Sequence, residues 1–263
     1  MKRAGLGFVA LVVAAFCVGP LAWQVFVSLS RDGSDFHSLT LENYRSVLHA
    51  PSFLRAIANS LLVAAGTTVL SLAIGASAAF ALARLTFPGR RALLGATLAI
   101  SMFPPIATAS PLYLVLRSLG LRDRTPGLVL PYTTFALPLG IWLLTSSFRE
   151  IPEELYKAAR VDGCTPFQAF RRVILPLAAP ALASTAILVF VASWNEFLYA
   201  LTLLSSPSQQ TLPVAISLFA GEHEQPWGEI AAASTIASIP LVAATIAFQR
   251  RIVAGLTAGA VKG

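Results

Sequence analysis

Glu196 is the one acidic residue well inside a long apolar run, and it stands beside Trp194 and Asn195. A carboxylate at membrane depth is costly and marks a functional candidate by default. These residue types suit a sugar. An indole offers an apolar platform for CH groups, while an amide and a carboxylate offer hydrogen bonds to hydroxyls. Two other readings stay open for the same residues. Asn195 and Glu196 can satisfy a companion helix or a carbonyl freed by a helix break. Glu196 can also carry a proton, although no second titratable partner falls within the membrane.

A second constellation is a polar island between two apolar runs, from Arg149 to Gly163 and on to Val173-Ile174-Leu175-Pro176. Pro152 suits the first position of a helix, where its missing N–H costs nothing. Glu153 and Glu154 complement the helix dipole in the first turn, and Gly163 supplies a C-terminal stop. Thr165-Pro166-Phe167-Gln168 then reads as a capping box, with Thr at the cap and Gln three residues on. This second helix is expected to run to about Val173 and to end before Pro176. Small Ala158 and Ala159 keep one face of the first helix flat. Two short helices meeting at Asp162-Gly163-Cys164 make a compact knob suited to a groove in another protein. An ordinary loop carrying surface helices is the plainer reading of the same residues.

Other chemistry is not expected. No Gly-x-x-x-x-Gly-Lys-Ser/Thr occurs, so the chain carries no ATP site of that kind. Gly221-Glu222-His223-Glu224 lacks a second ligand cluster and reads as a solvated loop rather than a metal site. Cys17 and Cys164 have no metal-type spacing and fall at different depths, so a disulfide is not expected. No catalytic residue, metal or cofactor is assigned.

The elements that must position these residues are apolar helices. The chain is 56% hydrophobic and only 12% charged, about half the charged share of a soluble domain. Runs of roughly 20 apolar residues are long enough to cross a bilayer. Six spans are read, at about 5–29, 56–83, 92–116, 128–148, 177–203 and 229–249. All are helices, because unpaired backbone groups cannot face lipid. Span two is rich in Ala, Gly and Ser, and Ser71, Gly75 and Ser77 suit close helix packing. Pro104-Pro105 and Pro111 interrupt span three, and Pro131 and Pro138 fall in span four. They mark either kinked packing helices or a bend lining a path. The run from Leu6 to Leu29 is too long for a typical signal core, so a retained first helix is expected. Between spans one and two, Thr40 is a plausible cap for a helix holding Leu41-Glu42-Asn43-Tyr44.

The net charge of +7 does not point to nucleic acid, because the basic residues flank apolar spans and form no aromatic-interleaved patch. It sets orientation instead. With the N-terminus in the cytoplasm, the cytoplasmic side collects Lys2, Arg3, Arg84, Arg90, Arg91, Arg149, Lys157, Arg160, Arg171, Arg172, Arg250, Arg251 and Lys262. Arg31, Arg45, Arg55, Arg117, Arg122 and Arg124 fall outside. This bias obeys the positive-inside rule and puts the island and both termini in the cytoplasm, and the three histidines outside.

The island resembles the signature loop of the membrane subunits of bacterial ABC importers, whose pattern is Glu-Ala-Ala, Asp-Gly and Ile-x-Leu-Pro. Here it stands as Lys157-Ala158-Ala159-Arg160-Val161-Asp162-Gly163 and Val173-Ile174-Leu175-Pro176. Lys157 replaces the usual Glu, so no ion pair of that Glu is carried over. Leu41-Glu42-Asn43-Tyr44, Asn59-Ser60-Leu61, Phe103-Pro104-Pro105 and Trp194-Asn195-Glu196-Phe197 resemble carbohydrate-importer permeases of the maltose type. The C-terminal run from Phe248 to Gly263 resembles the smaller permease of that class, and the whole is similar to trehalose-importing permeases of mycobacteria and relatives.

The resemblance implies an all-α polytopic membrane protein with six transmembrane helices and the type I ABC importer permease fold, one domain over 1–263. It implies a sugar importer subunit in the bacterial plasma membrane. The implied partners are a homologous companion permease, an ATP-binding cassette ATPase in two copies, an extracytoplasmic sugar-binding protein and membrane lipid. Glu154, Lys157, Ala158, Ala159, Asp162, Gly163, Pro166 and Phe167 in the loop 150–176 would dock the ATPase. Trp194, Asn195 and Glu196 are the candidates for the substrate path. The rival is a self-contained secondary transporter of a small polar solute. It would need inverted repeats with paired broken helices and coupling-ion sites, and such repeats are not evident.

Overall fold

The computed structural model describes residues 2–31, 38–219 and 226–258. Its helices are α1 (Lys2–Leu29), α2 (Glu42–His49), α3 (Pro51–Arg84), α4 (Arg90–Ser101), α5 (Pro105–Ser118) and α6 (Val129–Glu150). Three short ones follow, α7 (Glu153–Val161), α8 (Pro166–Ala169) and α9 (Leu175–Leu177), with a π turn at Phe170–Ile174. Then come α10 (Ala179–Trp194), α11 (Leu198–Leu203), α12 (Leu212–Ser217) and α13 (Trp227–Ala258). Among the described residues, β structure is one bridge between Ser30 and Leu39. Four stretches, Gly7–Leu29, Pro51–Arg84, Thr125–Glu150 and Trp227–Phe248, are each long and apolar enough to cross a membrane. Two bent pairs, α4 with α5 and Pro166–Leu177 with α10, bring the count to six, as expected.

Three spans or helices differ in detail from the sequence reading. The third span is not a kinked rod. It turns by 97° between α4 and α5. Pro104 takes an extended backbone (φ −64, ψ 123), and a proline also biases the residue before it away from helix. The fifth span is not one helix over 177–203. It stops at Trp194 and restarts at Leu198, and α10 alone, at about 1.5 Å per residue, is too short to cross a core of roughly 30 Å. The second island helix does not end before Pro176. It passes through the π turn, where the N–H of Leu175 donates to Phe170 O. The wider turn moves the preceding carbonyls away from the proline ring that would clash with them. The chain then bends by 79° into α10.

α3 packs along α6, and small residues set their distance. A Cβ added at Gly66 would meet Val129 Cγ2 at 3.1 Å, and Gly75 lies against Leu137, Gly140 and Ile141. Ser71 is buried, as close packing requires, whereas Ser77 is exposed and its hydroxyl returns to Ala73 O at 2.9 Å. One core, built on Phe80, Leu144, Phe148, Phe170 and Ile174, joins the island to α3 and α6. A second joins α2, α3 and α13 through Val47, Phe53, Leu212 and Ala232. A third gathers Leu116, Leu128, Tyr132 and Tyr199 around α5, α6 and α11. Asn43 ties α2 to the end of α1, its amide donating to Ser28 O and Ser30 O, both at 2.9 Å. Thr40 Oγ1 accepts from Glu42 N–H at 3.1 Å, one position off the cap expected for it.

Candidate functional site

The island folds into the expected knob. Pro152 is the residue that precedes α7, one position earlier than read from sequence, and Glu153 and Glu154 form its acidic first turn. At the other end, the N–H of Gly163 donates to Arg160 O at 3.2 Å and that of Cys164 to Ala159 O at 3.0 Å. This bond pair is the Schellman arrangement, which needs a left-handed residue. Gly163 supplies it with φ +84. Arg160 Nη1 adds a bond to Cys164 O at 2.5 Å. The capping box is complete. Gln168 N–H donates to Thr165 Oγ1 at 3.2 Å, and Thr165 N–H donates to Gln168 Oε1 at 2.8 Å. Cys17 and Cys164 are both free thiols.

The knob is seated by aromatic rings. Phe170 lies 4.9 Å from Phe80 and 6.4 Å from Phe148 between centroids, and Tyr156 meets Phe80 edge-on at 5.9 Å. Arg84, the last residue of α3, donates to Phe148 O and Ile151 O and so closes the C-terminus of α6. Ala159 is buried in this seat, so of the two alanines only Ala158 faces outward. Glu154, Lys157, Asp162, Gly163, Pro166 and Phe167 are exposed together with it. Lys157 finds its acidic partner within its own helix, Glu153 Oε1 at 3.3 Å, with both side chains mostly in solvent. Two apolar residues join the outer face that sequence reasoning missed, Leu155 and Val161, the latter 87% exposed. The signal was available: each is an apolar residue on a short polar helix, off the inward stripe of Tyr156 and Ala159.

The second site is the break at Asn195-Glu196-Phe197. Glu196 turns its carboxylate onto the new helix start, Oε1 accepting from Tyr199 N–H at 2.9 Å and Oε2 from Ala200 N–H at 3.4 Å. A helix start leaves such N–H groups without intrahelical partners, and a negative charge there also complements the dipole. Of the readings left open for Glu196, the one the geometry displays is service to freed backbone groups, donors in place of the expected carbonyl. Asn195 is exposed and donates to Val191 O at 2.8 Å. Trp194 is 3% exposed, donates its indole N–H to Ala237 O at 3.2 Å and stacks on Phe190.

Beside Glu196 lies a cavity of about 160 Å³, lined by Tyr132, Phe135, Ser193 and Tyr199 among others, but by neither Trp194 nor Asn195. Ligand sites commonly measure roughly 300–1,000 Å³, so this cavity is smaller than a usual ligand site. Its aromatic wall was missed, since Tyr132 and Phe135 come from span four. Tyr199 also fixes α5, its hydroxyl 2.7 Å from Thr108 Oγ1 and donating to Pro105 O at 3.0 Å.

At the end of the bundle away from the knob, the segment 204–212 is stapled by side chains from three directions. Asp123 accepts from Ser205 N–H at 2.8 Å, from Ser206 N–H at 3.0 Å and from the Ser206 hydroxyl. The Ser206 hydroxyl, then the backbone N–H groups of Ser206 and Ser205, hold the Asp123 carboxyl below the usual carboxylate range. Thr125 N–H donates to Gln209 Oε1 at 2.9 Å, Asn59 donates to Ser208 O and Gln210 O, and Ser60 Oγ accepts from Leu212 N–H at 2.7 Å. Gly221-Glu222-His223-Glu224 lies outside the described residues, as does His37. Among the described residues no cluster of His, Cys, Asp and Glu could hold a metal.

Six apolar spans with a helical knob at one end and a broken span inside define a polytopic permease. The chain belongs to the family described as binding-protein-dependent transport system inner membrane component, whose model matches residues 71–257. It is 48% identical over 260 residues to the trehalose transport system permease protein SugB of Mycobacterium tuberculosis, covering 96% of this chain and 95% of that protein. It is 41% identical over 275 residues to the trehalose/maltose transport system permease protein MalG of Thermococcus litoralis, covering 100% and 98%. Its fold matches a crystal structure of a bacterial ABC transporter involved in the import of the acidic polysaccharide alginate, with TM-score 0.80 at 23% identity over 95% of this chain and 96% of that one. The chain is therefore a multi-pass permease subunit of an ABC importer, and ATP hydrolysis belongs to a separate subunit. Family membership decides against a self-contained secondary transporter.

Proposed function

We propose that this permease imports a disaccharide such as trehalose or maltose, as a single domain over 1–263 with both termini in the cytoplasm. The observation that carries the substrate class is the likeness to the trehalose permease over nearly all of both chains. The permease pairs with a homologous companion, receives sugar from an extracytoplasmic sugar-binding protein and rests on two copies of the ATPase. Glu154, Lys157, Ala158, Asp162, Gly163, Pro166 and Phe167 form the docking face, with Leu155 and Val161 as its apolar centre and Ala159 as its seat. The exposure of Val161 and Phe167 beside the Gly163 corner supports this, since such a patch is unfavourable in water until covered.

In the membrane, Glu196 holds the break open and Asn195 faces the path, while Trp194 anchors the break to α13. The small cavity beside Glu196 is this subunit's share of the passage, completed by the companion. The test is reconstitution of the complex with its ATPase and binding protein in liposomes, with ion gradients collapsed. ATP-dependent accumulation of labelled trehalose or maltose is expected. Uptake that ignores ATP, or accumulation of neither sugar, overturns the proposal.

A further inference from the structure

A second cavity, about 300 Å³, opens between α4 and α6 near the knob end of the bundle, lined by Leu94, Trp142, Thr145, Ser146, Arg149 and Glu150. Its five α6 residues are spaced by three, one, three and one, so they form one stripe down the helix. The stripe is graded. Arg149 and Glu150 end the helix, the two hydroxyls lie about one turn deeper, and Trp142 lies about two turns deeper, near 11 Å from the helix end at 1.5 Å per residue.

The polar groups here are unpaired. Among the described residues, neither Arg149 nor Glu150 has a salt bridge or a side-chain hydrogen bond, although they are neighbours of opposite charge. Thr145 is 1% exposed and its hydroxyl has no hydrogen-bond partner. Thr68 and Thr134 meet that need by donating to the carbonyl four residues back, Ala64 O at 2.7 Å and Leu130 O at 3.0 Å, whereas Thr145, like the buried Thr67 and Thr133, does not.

We propose that this cleft holds one phosphatidylethanolamine molecule. Its phosphate lies against Arg149 and Ser146, and its ammonium against Glu150. The glycerol ester region meets Thr145, which turns its hydroxyl to the new partner, and the acyl chains leave along Trp142 and Leu94. The order of groups along the stripe, charge pair then hydroxyl then indole, is the order of a zwitterionic phospholipid from water inward. Basic pockets between helices at the membrane surface take lipid headgroups, and an indole at that depth is an interfacial anchor. The carboxylate selects the headgroup: it favours an ammonium that can donate hydrogen bonds and disfavours a purely anionic lipid.

The experiment uses the complete importer complex, purified in detergent, stripped of lipid and exposed to vesicles of equal parts phosphatidylethanolamine, phosphatidylglycerol and phosphatidylcholine. Native mass spectrometry then reads the lipid retained by the permease. Phosphatidylethanolamine is expected to be retained over both others. Arg149→Ala and Glu150→Gln should each lower its retention about tenfold, the scale of one charge-assisted hydrogen bond. Both side chains are exposed at a helix end, and unchanged melting in lipid-free detergent verifies that the variants fold. Retention of phosphatidylglycerol equal to phosphatidylethanolamine, or indifference to Glu150→Gln, overturns the headgroup assignment. If soluble glycerophosphoethanolamine or inorganic phosphate displaces the lipid at equal concentration, the site serves a solute and the lipid proposal fails.

Discussion

Gly163 and Glu196 each stand where one helix stops and another begins, but they meet the problem by opposite means. At Gly163 the chain turns through a left-handed residue, and backbone groups on both sides of the corner bond to each other. At Glu196 no glycine is present. The freed N–H groups of Tyr199 and Ala200 lie within a span, where water is scarce and an unmet polar group is costly. A side chain must therefore enter and meet them. The corner is bought with conformation and the break with charge.

The sharpest way to test that contrast is to remove the charge. Glu196→Ala leaves the two N–H groups unmet, at roughly 1–3 kcal/mol each. A marked loss of thermal stability in the complex is expected, with ATPase co-purification retained. Glu196→Gln keeps one acceptor oxygen and should lose less stability while uptake falls moderately. Normal uptake together with lowered melting in the Gln variant would remove Glu196 from the sugar path and leave it as a cap alone.

Gly163→Val tests the other side. A Cβ at this position meets nothing within 4 Å, so the cost is backbone conformation, roughly 1–2 kcal/mol for a non-glycine residue in the left-handed region and more for a β-branched one. ATPase co-purification and substrate-stimulated hydrolysis should both fall about tenfold, and Gly163→Asn, which tolerates this region better, should be milder. A well-expressed Gly163→Val protein that binds its ATPase normally would detach docking from this corner.

Two smaller effects sharpen the contrast between local and distant stitching. Asp123 has a lowered carboxyl pKa, so its contribution to stability is full above the ordinary aspartate value, about 4. It fades as pH falls below that value through the lowered one. Acid unfolding of Asp123→Asn should accordingly show a shallower dependence on pH below about 4 than wild type. An identical acid profile would mean that the staple does not depend on the charge. Lys157→Glu replaces an exposed favourable pair with a like-charge pair at the same helical spacing, a swing of about 0.4–1 kcal/mol. Helix content and co-purification should barely move, and a tenfold loss of transport would show that Lys157 is buried and paired in the docked complex.

The two breaks were not equally legible. The knob is written in local signals: Thr165 and Gln168 three apart, Gly163 after an amphipathic turn, Pro152 at the entry. Each works within a few residues, which is why the capping box could be placed to the atom. The break at Glu196 has no such signature. Trp194-Asn195-Glu196-Phe197 holds no glycine or proline, and its cap is a glutamate rather than the short polar residues that usually serve, so the run read as one continuous helix. In span three the paired prolines announced an interruption, but a proline does not encode a 97° angle; that depends on how α5 rests on Tyr199. The Asp123 staple to Ser205 and Ser206 was invisible for a plainer reason, since it joins residues some eighty positions apart.

Arg84 gives the knob a mechanical character. Its guanidinium belongs to the last turn of α3, yet it grips the two carbonyls at which α6 gives way to the island. Phe80, one turn earlier, abuts both Phe170 and Tyr156 from opposite arms of the knob. The joint therefore behaves as a crank and not as a hinge. A close-packed ring cluster is scarcely compressible, so a load on either arm of the knob, at Tyr156 or at Phe170, bears on Phe80 and through it on α3.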